Sequence, residues 1–249
     1  MLVALAFCPA PPLLVPEIAS GAAVELAGVR LACEAAVQAL LDENPDEIVV
    51  LGAGPGAGSP AVVIEHDGAT AGSFAGFGVD LRVGGPGPVA LPLALAVGAW
   101  LLDRAATPVR RAYVEIPAGP VADSADDVLA TLGTALAARR GRVALLVMGD
   151  GSAARTPKAP VAYDQRAETY DKGIAAALAA GDATTLLALD AAQAAALAVS
   201  GRPAWQVAAG AVLAQTASPP TADLLADQAP YGVGYLVATW RLGAADTRS

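Results

Sequence analysis

The chain of 249 residues holds a single histidine, His66. Any centre that needs two imidazoles from one polypeptide is therefore excluded. Basic residues are scarce as well: 15 Lys and Arg stand against 24 Asp and Glu, a net charge of −9. Such a chain repels phosphate backbones, which argues against nucleic acid as a partner. No basic stretch or basic amphipathic helix points to an anionic membrane surface. Aromatic residues make up only 4%, so the expected core is one of small side chains with helices lying close to a sheet. No apolar run reaches the roughly 18 residues that a membrane span needs. Val89 to Leu102 is apolar but too short. The start, MLVALAFCPAPP, has no basic segment and is broken by prolines. It reads as a first strand rather than a signal peptide, and the expected location is cytoplasmic. The two cysteines, Cys8 and Cys33, read as buried, reduced thiols.

What is present suits one α/β domain over residues 1–249. Hydrophobic residues supply 55% of the chain, enough for a sizeable core. The alanine and arginine bias suggests a bacterial source. Leu2 to Phe7 reads as a buried strand. Val24, Ala27, Leu31, Ala35 and Leu40 recur at helical spacing, and Asn44-Pro45 stops that helix. Glu47 to Leu51 is a second buried strand, and strand, helix, strand in this order suggests a parallel pair. Ala61 to Glu65 and Gly78 to Val83 form a hairpin or two short strands, with an unassigned glycine-rich stretch between them. Helices are expected over Leu91 to Asp103, Asp123 to Arg139, Gln165 to Ala180, Ala183 to Ala198 and Ala204 to Gln215. Arg111 to Ile116, Arg142 to Met148 and Gly232 to Trp240 read as strands. Alternating strands and helices predict a three-layer α/β/α sandwich with a mostly parallel mixed sheet.

Ligands of such sheets bind beyond the carboxyl ends of the parallel strands. Four segments near those ends carry a family signature. They are CPAPPLLVPEIA after the first strand, DEIVVLGAGPG, VMGDGSAART with the following YDQRAETYDKGIAAALAAGD, and APYGVGYLVATW. Their ordered set resembles the LigB-like superfamily, which holds the class III extradiol ring-cleavage dioxygenases and the Memo proteins. The resemblance spans nearly the whole chain. It implies a LigB-like fold, a homodimer, and a ferrous ion held by two histidines and a carboxylate. The first of those histidines falls at Ala10 and the second near Pro55, within Gly54 to Gly56. The family's catalytic histidine falls near Ala153 or Ala154. None is present, so the expectation is a protein without iron or any other metal cofactor. It is a catalytically degenerate member that binds a small molecule or another protein. The alternatives are an enzyme rebuilt around Asp150, Ser152 and Arg155, or an accessory subunit of a dioxygenase.

The residues left to build a site are few. Asp150, Ser152, Tyr163, Asp171 and His66 are the candidates for catalysis. GDGS lacks the spacing of a nucleophile elbow, and Ser152 would need His66 as its base. His66 precedes Asp67-Gly68 and otherwise reads as an exposed turn histidine. A pocket lined by Ala10, Pro11, Gly54 and Pro55, with Arg155, Lys158 and Arg166 as basic groups, would suit a small anionic or aromatic ligand. The Gly52 to Gly58 loop is followed by no clear helix and no Gly-Lys-Ser/Thr, so it reads as a close backbone approach and not a nucleotide site. Asp164 is an expected cap of the helix from Gln165. Glu115 sits in a strand that otherwise reads as buried, and a buried carboxylate needs a partner, expected to be an arginine or an old metal site.

Overall fold

The computed structural model describes residues 1–54, 62–117, 125–216 and 218–243, without the side chains of 125–127. The described residues form nine strands, β1 (Leu2–Cys8), β2 (Glu47–Ala53), β3 (Ile64–Asp67), β4 (Ala71–Ser73), β5 (Arg82–Gly84), β6 (Arg110–Ile116), β7 (Val143–Met148), β8 (Thr221–Gln228) and β9 (Tyr235–Arg241). The α-helices are α1 (Pro16–Ala19), α2 (Ala27–Asp42), α3 (Leu93–Arg104), α4 (Ala125–Ala137), α5 (Arg166–Ala180), α6 (Ala183–Leu187), α7 (Ala191–Ala196) and α8 (Arg202–Gln215). Seven strands form one mixed sheet in the order β3-β6-β2-β7-β1-β9-β8. The central four are parallel, while β3 and β9 run antiparallel to their neighbours. β4 and β5 make a separate two-stranded sheet.

Alternation along the strands divides the core into two. In β1, Leu2, Leu5 and Phe7 face α4, α5 and α8. Ala4, Ala6 and Cys8 face α2 and α3. The sandwich therefore has the three layers expected. Small residues let the helices lie close. Gly133 of α4 sits on the backbone of Val207 and Gly210 in α8, where a methyl group would collide. The larger anchors are local: Phe7 meets Trp240 edge to face at 4.8 Å, and the Trp240 indole donates to the Leu178 carbonyl at 2.7 Å. Cys8 and Cys33 are free and buried. Burial, and then the neighbouring Cys8, push the Cys33 thiol well above its ordinary range.

Several expectations need correction. β1 and β2 are parallel but not adjacent, because β7 lies between them. The helix expected from Val24 begins at Ala27, and its buried face is Val29, Cys33, Ala36, Val37 and Leu40. Val24 and Leu31 are 82% and 65% exposed. Alanine on every side of this helix let two registers satisfy the same spacing. Of the hairpin or two short strands expected, the structure has the short strands: β3 pairs with β6, and β5, overlapping the Gly78 to Val83 region, pairs with β4. The helix expected over 183–198 is broken by Asp190, which caps α7 by accepting from the Gln193 amide. β8 was not expected at all. It is an edge strand with alternating exposure, and its sequence TADLLADQ carries none of the apolar continuity of the central strands. The expected starts at Ala61 and Asp123 lie outside the described residues.

Candidate functional site

Beyond its last residue β7 keeps following β1: the Gly149 amide donates to the Cys8 carbonyl at 3.0 Å. The chain then swings toward the start of β9. Gly151 donates to Gly234 at 2.8 Å, Gly234 to Ser152 at 2.9 Å, and Arg155 to Gly232 at 2.9 Å. This detour places three predicted residues in different environments.

Asp150 lies at the mouth of the strand ends and keeps part of its surface open. Its Oδ1 accepts from the Ala10 amide at 2.8 Å. Among the described residues no other hydrogen bond and no cation reaches the carboxylate. Burial pushes its pKa up to about 6, against the pull of the Ala10 amide. Backbone pairing of Gly151 with Gly234 brings the next residue, Tyr235, to this loop. The ring is 2% exposed, and burial followed by the Asp150 charge raises its hydroxyl well above the ordinary phenol range. No hydrogen bond reaches that hydroxyl among the described residues, and it is not sealed in the interior. Next to Tyr235, the Tyr231 hydroxyl donates to Glu25 Oε2 at 2.9 Å.

Asp171 is the opposite case. It is fully buried, and its Oδ1 accepts from the Ser152 amide at 2.8 Å. Arg155 Nη1 donates to Oδ2 at 3.0 Å. Glycines at 151 and 234 leave it room, since a Cβ at either would strike the carboxylate. Burial raises its pKa, with Ser152 and Arg155 pulling the other way. Asp171 thus fastens the loop after β7 to α5.

Ser152 cannot serve as the nucleophile considered from the sequence. It is fully buried, its Oγ donates to the Leu197 carbonyl at 2.8 Å, and it accepts from the Ala154 amide at 3.1 Å. Arg155 is spent on Asp171. Arg166 is exposed and forks onto Asp164, which also accepts from the Arg166 amide at 2.8 Å. Asp164 therefore binds the first turn of α5, although the cap position itself falls at Gln165. Lys158 and Tyr163 are exposed on the same stretch. The basic side chains expected to hold an anion are thus neutralised or on the surface. Pro11 is buried beside Ala10.

At the ends of β2 and β6 a second group forms. His66 Nε2 lies 3.1 Å from Glu115 Oε2, with the histidine side chain 12% exposed. His66 is therefore not an exposed turn residue, and among the described residues Glu115 pairs with it and not with an arginine. The Glu115 carboxylate lies over Gly54, where any Cβ would overlap it. The Gly54 amide donates to Ile116 at 2.8 Å. Pro55 lies outside the described residues.

The ferrous ion implied by the resemblance does not fit these residues. Position 10 offers a methyl group and position 54 no side chain. The one imidazole of the chain faces Glu115, and no three metal-ligating side chains converge among the described residues. A groove of about 560 Å³ at the other end of the sheet is lined by Glu47, Asp103, Arg110 and Arg111. Arg111 pairs there with Asp103 and Arg110 with Glu47, while Asp67, which also lines the groove, accepts from the Ala69 amide and the Thr70 hydroxyl. The groove holds none of the residues singled out at the strand ends. No helix among the described residues is long and apolar enough to cross a membrane. A scan against protein-family models finds no match, and a search of the curated proteins finds none either.

The sequence singled out Asp150 and the carboxyl ends of the parallel strands. Tyr235, Tyr231 and Glu25 were missed. The signal for Tyr235 was its place as the first residue of a buried strand at a glycine turn, where a polar tip reaches the sheet edge.

Proposed function

We propose that this chain is a catalytically degenerate relative of the class III extradiol dioxygenases that binds a small molecule at its strand ends without iron. One observation carries the reading. Where the family places its first iron-ligating nitrogen, Ala10 presents a methyl group, and its amide is spent on Asp150 at 2.8 Å. The fold keeps a partly open, polar strand end there, while the ligand set for a redox metal is gone. The same proposal takes the protein to be bacterial, cytoplasmic and homodimeric. Light scattering after gel filtration tests the dimer.

The experiment for the main reading is anaerobic loading with ferrous ion, followed by metal analysis and oxygen uptake with catechol. The expected result is substoichiometric iron and no ring cleavage. Stoichiometric iron with turnover would overturn it.

A second reading, an enzyme with a rebuilt site, is favoured by Asp150 alone. A partly open carboxyl that burial lifts to about 6 suits proton transfer near neutral pH. Ser152 and Arg155 drop out of that version, since both are consumed internally. An accessory role is tested by co-purification with a dioxygenase partner.

A further inference from the structure

We propose that the groove at the amino-terminal end of the central sheet binds a free α-amino acid with an apolar side chain. Arg110 holds its carboxylate and Asp67 its ammonium group. The proposal is independent of the strand-end site, which lies at the opposite end of the parallel strands.

The register of the sheet brings the two charges together. Asp67 of β3 stands opposite Ala112 of β6, and Arg110 comes two residues before Ala112. Residues two apart in a strand share a face. Asp67 and Arg110 are therefore diagonal neighbours on one face, with backbones about 7–8 Å apart. Both line the groove of about 560 Å³. Asp67 accepts from the Ala69 amide at 3.0 Å and from the Thr70 hydroxyl at 3.2 Å, both through Oδ1. Its Oδ2 is left open, and no cation reaches it among the described residues. The Arg110 side chain is 69% exposed and approaches Glu47 only to 3.5 Å, while Glu47 is shared with Arg139 at 3.4 Å. Asp103, by contrast, is closed: one oxygen takes the Arg111 guanidinium and the other the Gly84 amide. A lone anion on Arg110 would face Asp67 and Glu47, and a lone cation on Asp67 would face Arg110. A zwitterion answers both with charge-assisted hydrogen bonds.

The groove also has an apolar continuation. Past Thr107 and Val109 it meets a second hollow of about 370 Å³, walled by Leu41, Pro45, Ala105 and Pro108. An apolar side chain would run there. Tyr113 adds an independent observation. It is fully buried, and its hydroxyl has no hydrogen-bond partner among the described residues. A Cβ on Gly84, which lines the groove, would stand 3.2 Å from that hydroxyl. A buried phenol ordinarily finds a partner. This one ends behind the groove wall, which the fold's own contacts leave incomplete.

The test uses L-leucine and two analogues of the same shape: isocaproate, which lacks the amine, and isoamylamine, which lacks the carboxylate. Each is titrated at pH 7.5 against the full chain by calorimetry and thermal shift. Leucine is expected to bind saturably, with a Kd of about 1 mM or tighter, and each analogue at least tenfold more weakly. Glycine, without the apolar side chain, should also bind at least tenfold more weakly. Asp67→Asn, which keeps the oxygen that Ala69 and Thr70 use, and Arg110→Gln should each weaken leucine at least tenfold. Circular dichroism and urea midpoints confirm that both variants fold. Amide shifts of the unsubstituted protein give a second reading: leucine should move Asp67, Val109 and Arg110. The proposal falls if leucine does not bind, if either analogue binds as tightly, or if both variants bind leucine undiminished. It falls equally if the shifts move only around Asp150. Glycine binding as tightly as leucine would overturn the apolar part.

Discussion

Asp150 and Asp171 bracket one short loop and meet opposite fates. Asp171 is sealed between Ser152 and Arg155, with both oxygens occupied. Asp150 holds a single amide, and no cation reaches it among the described residues. The first is how a fold treats a carboxylate it needs for its own cohesion. The second is a carboxylate that the fold leaves partly open. Counting partners separates the two roles where residue type and sequence position do not.

The comparison can be broken at four points. The largest effect is expected from Asp171→Ala, which strands Arg155 and the Ser152 amide in the interior. It should cost about 3–5 kcal/mol in urea unfolding. A loss under 1 kcal/mol would show that Asp171 is not the fastening.

Asp150→Asn should act the other way. The carboxyl is raised from 3.8 to about 6. A raised acid stabilises the fold only when protonated, so that contribution is complete below pH 3.8 and lost as pH rises through about 6. At pH 8 the substitution should therefore stabilise by about 1–3 kcal/mol, and the gain should vanish below pH 4. A gain that persists in acid would assign it to something other than the charge.

Gly54→Ala drives a methyl group into the Glu115 carboxylate and should cost about 1–3 kcal/mol. That cost should shrink in a Glu115→Ala background, and an unchanged cost would refute the overlap.

The smallest effect belongs to the His66–Glu115 pair, a cross-strand contact between β3 and β6. A double-mutant cycle with alanine at both positions should return about 0.2–1 kcal/mol. A coupling above 2 kcal/mol would mark the pair as more than an edge contact.

The central sheet was legible because strands buried on both faces read as unbroken apolar runs: LVALAF, EIVVL, RVALLVM and the stretch ending in Trp240. The edges were not. β8 places Asp223 and Asp227 on an exposed strand whose pairing with β9 is all that defines it. In α2 the abundance of alanine hid which stripe faces inward. At the site, Asp150 was visible because a polar loop after a core strand has few places to go. Its company was not, because Tyr235 arrives from 85 residues further along the chain and Glu25 from the other end. The basic residues misled for a simple reason: the sequence shows that Arg155 and Arg166 exist, not that Asp171 and Asp164 have already claimed them.

The insertion of β7 between β1 and β2 has a consequence for synthesis on the ribosome. The two earliest core strands have no direct pairing with each other and are joined only when residues 143–148 arrive. Until more than half the polypeptide has emerged, β1 lacks both of its eventual neighbours, since β9 comes later still. Closure over such long sequence separations is slow. Fragments ending before residue 143 should expose β1 unmated and one open edge of β2, whose other edge β6 can already cover, making them natural clients for a chaperone.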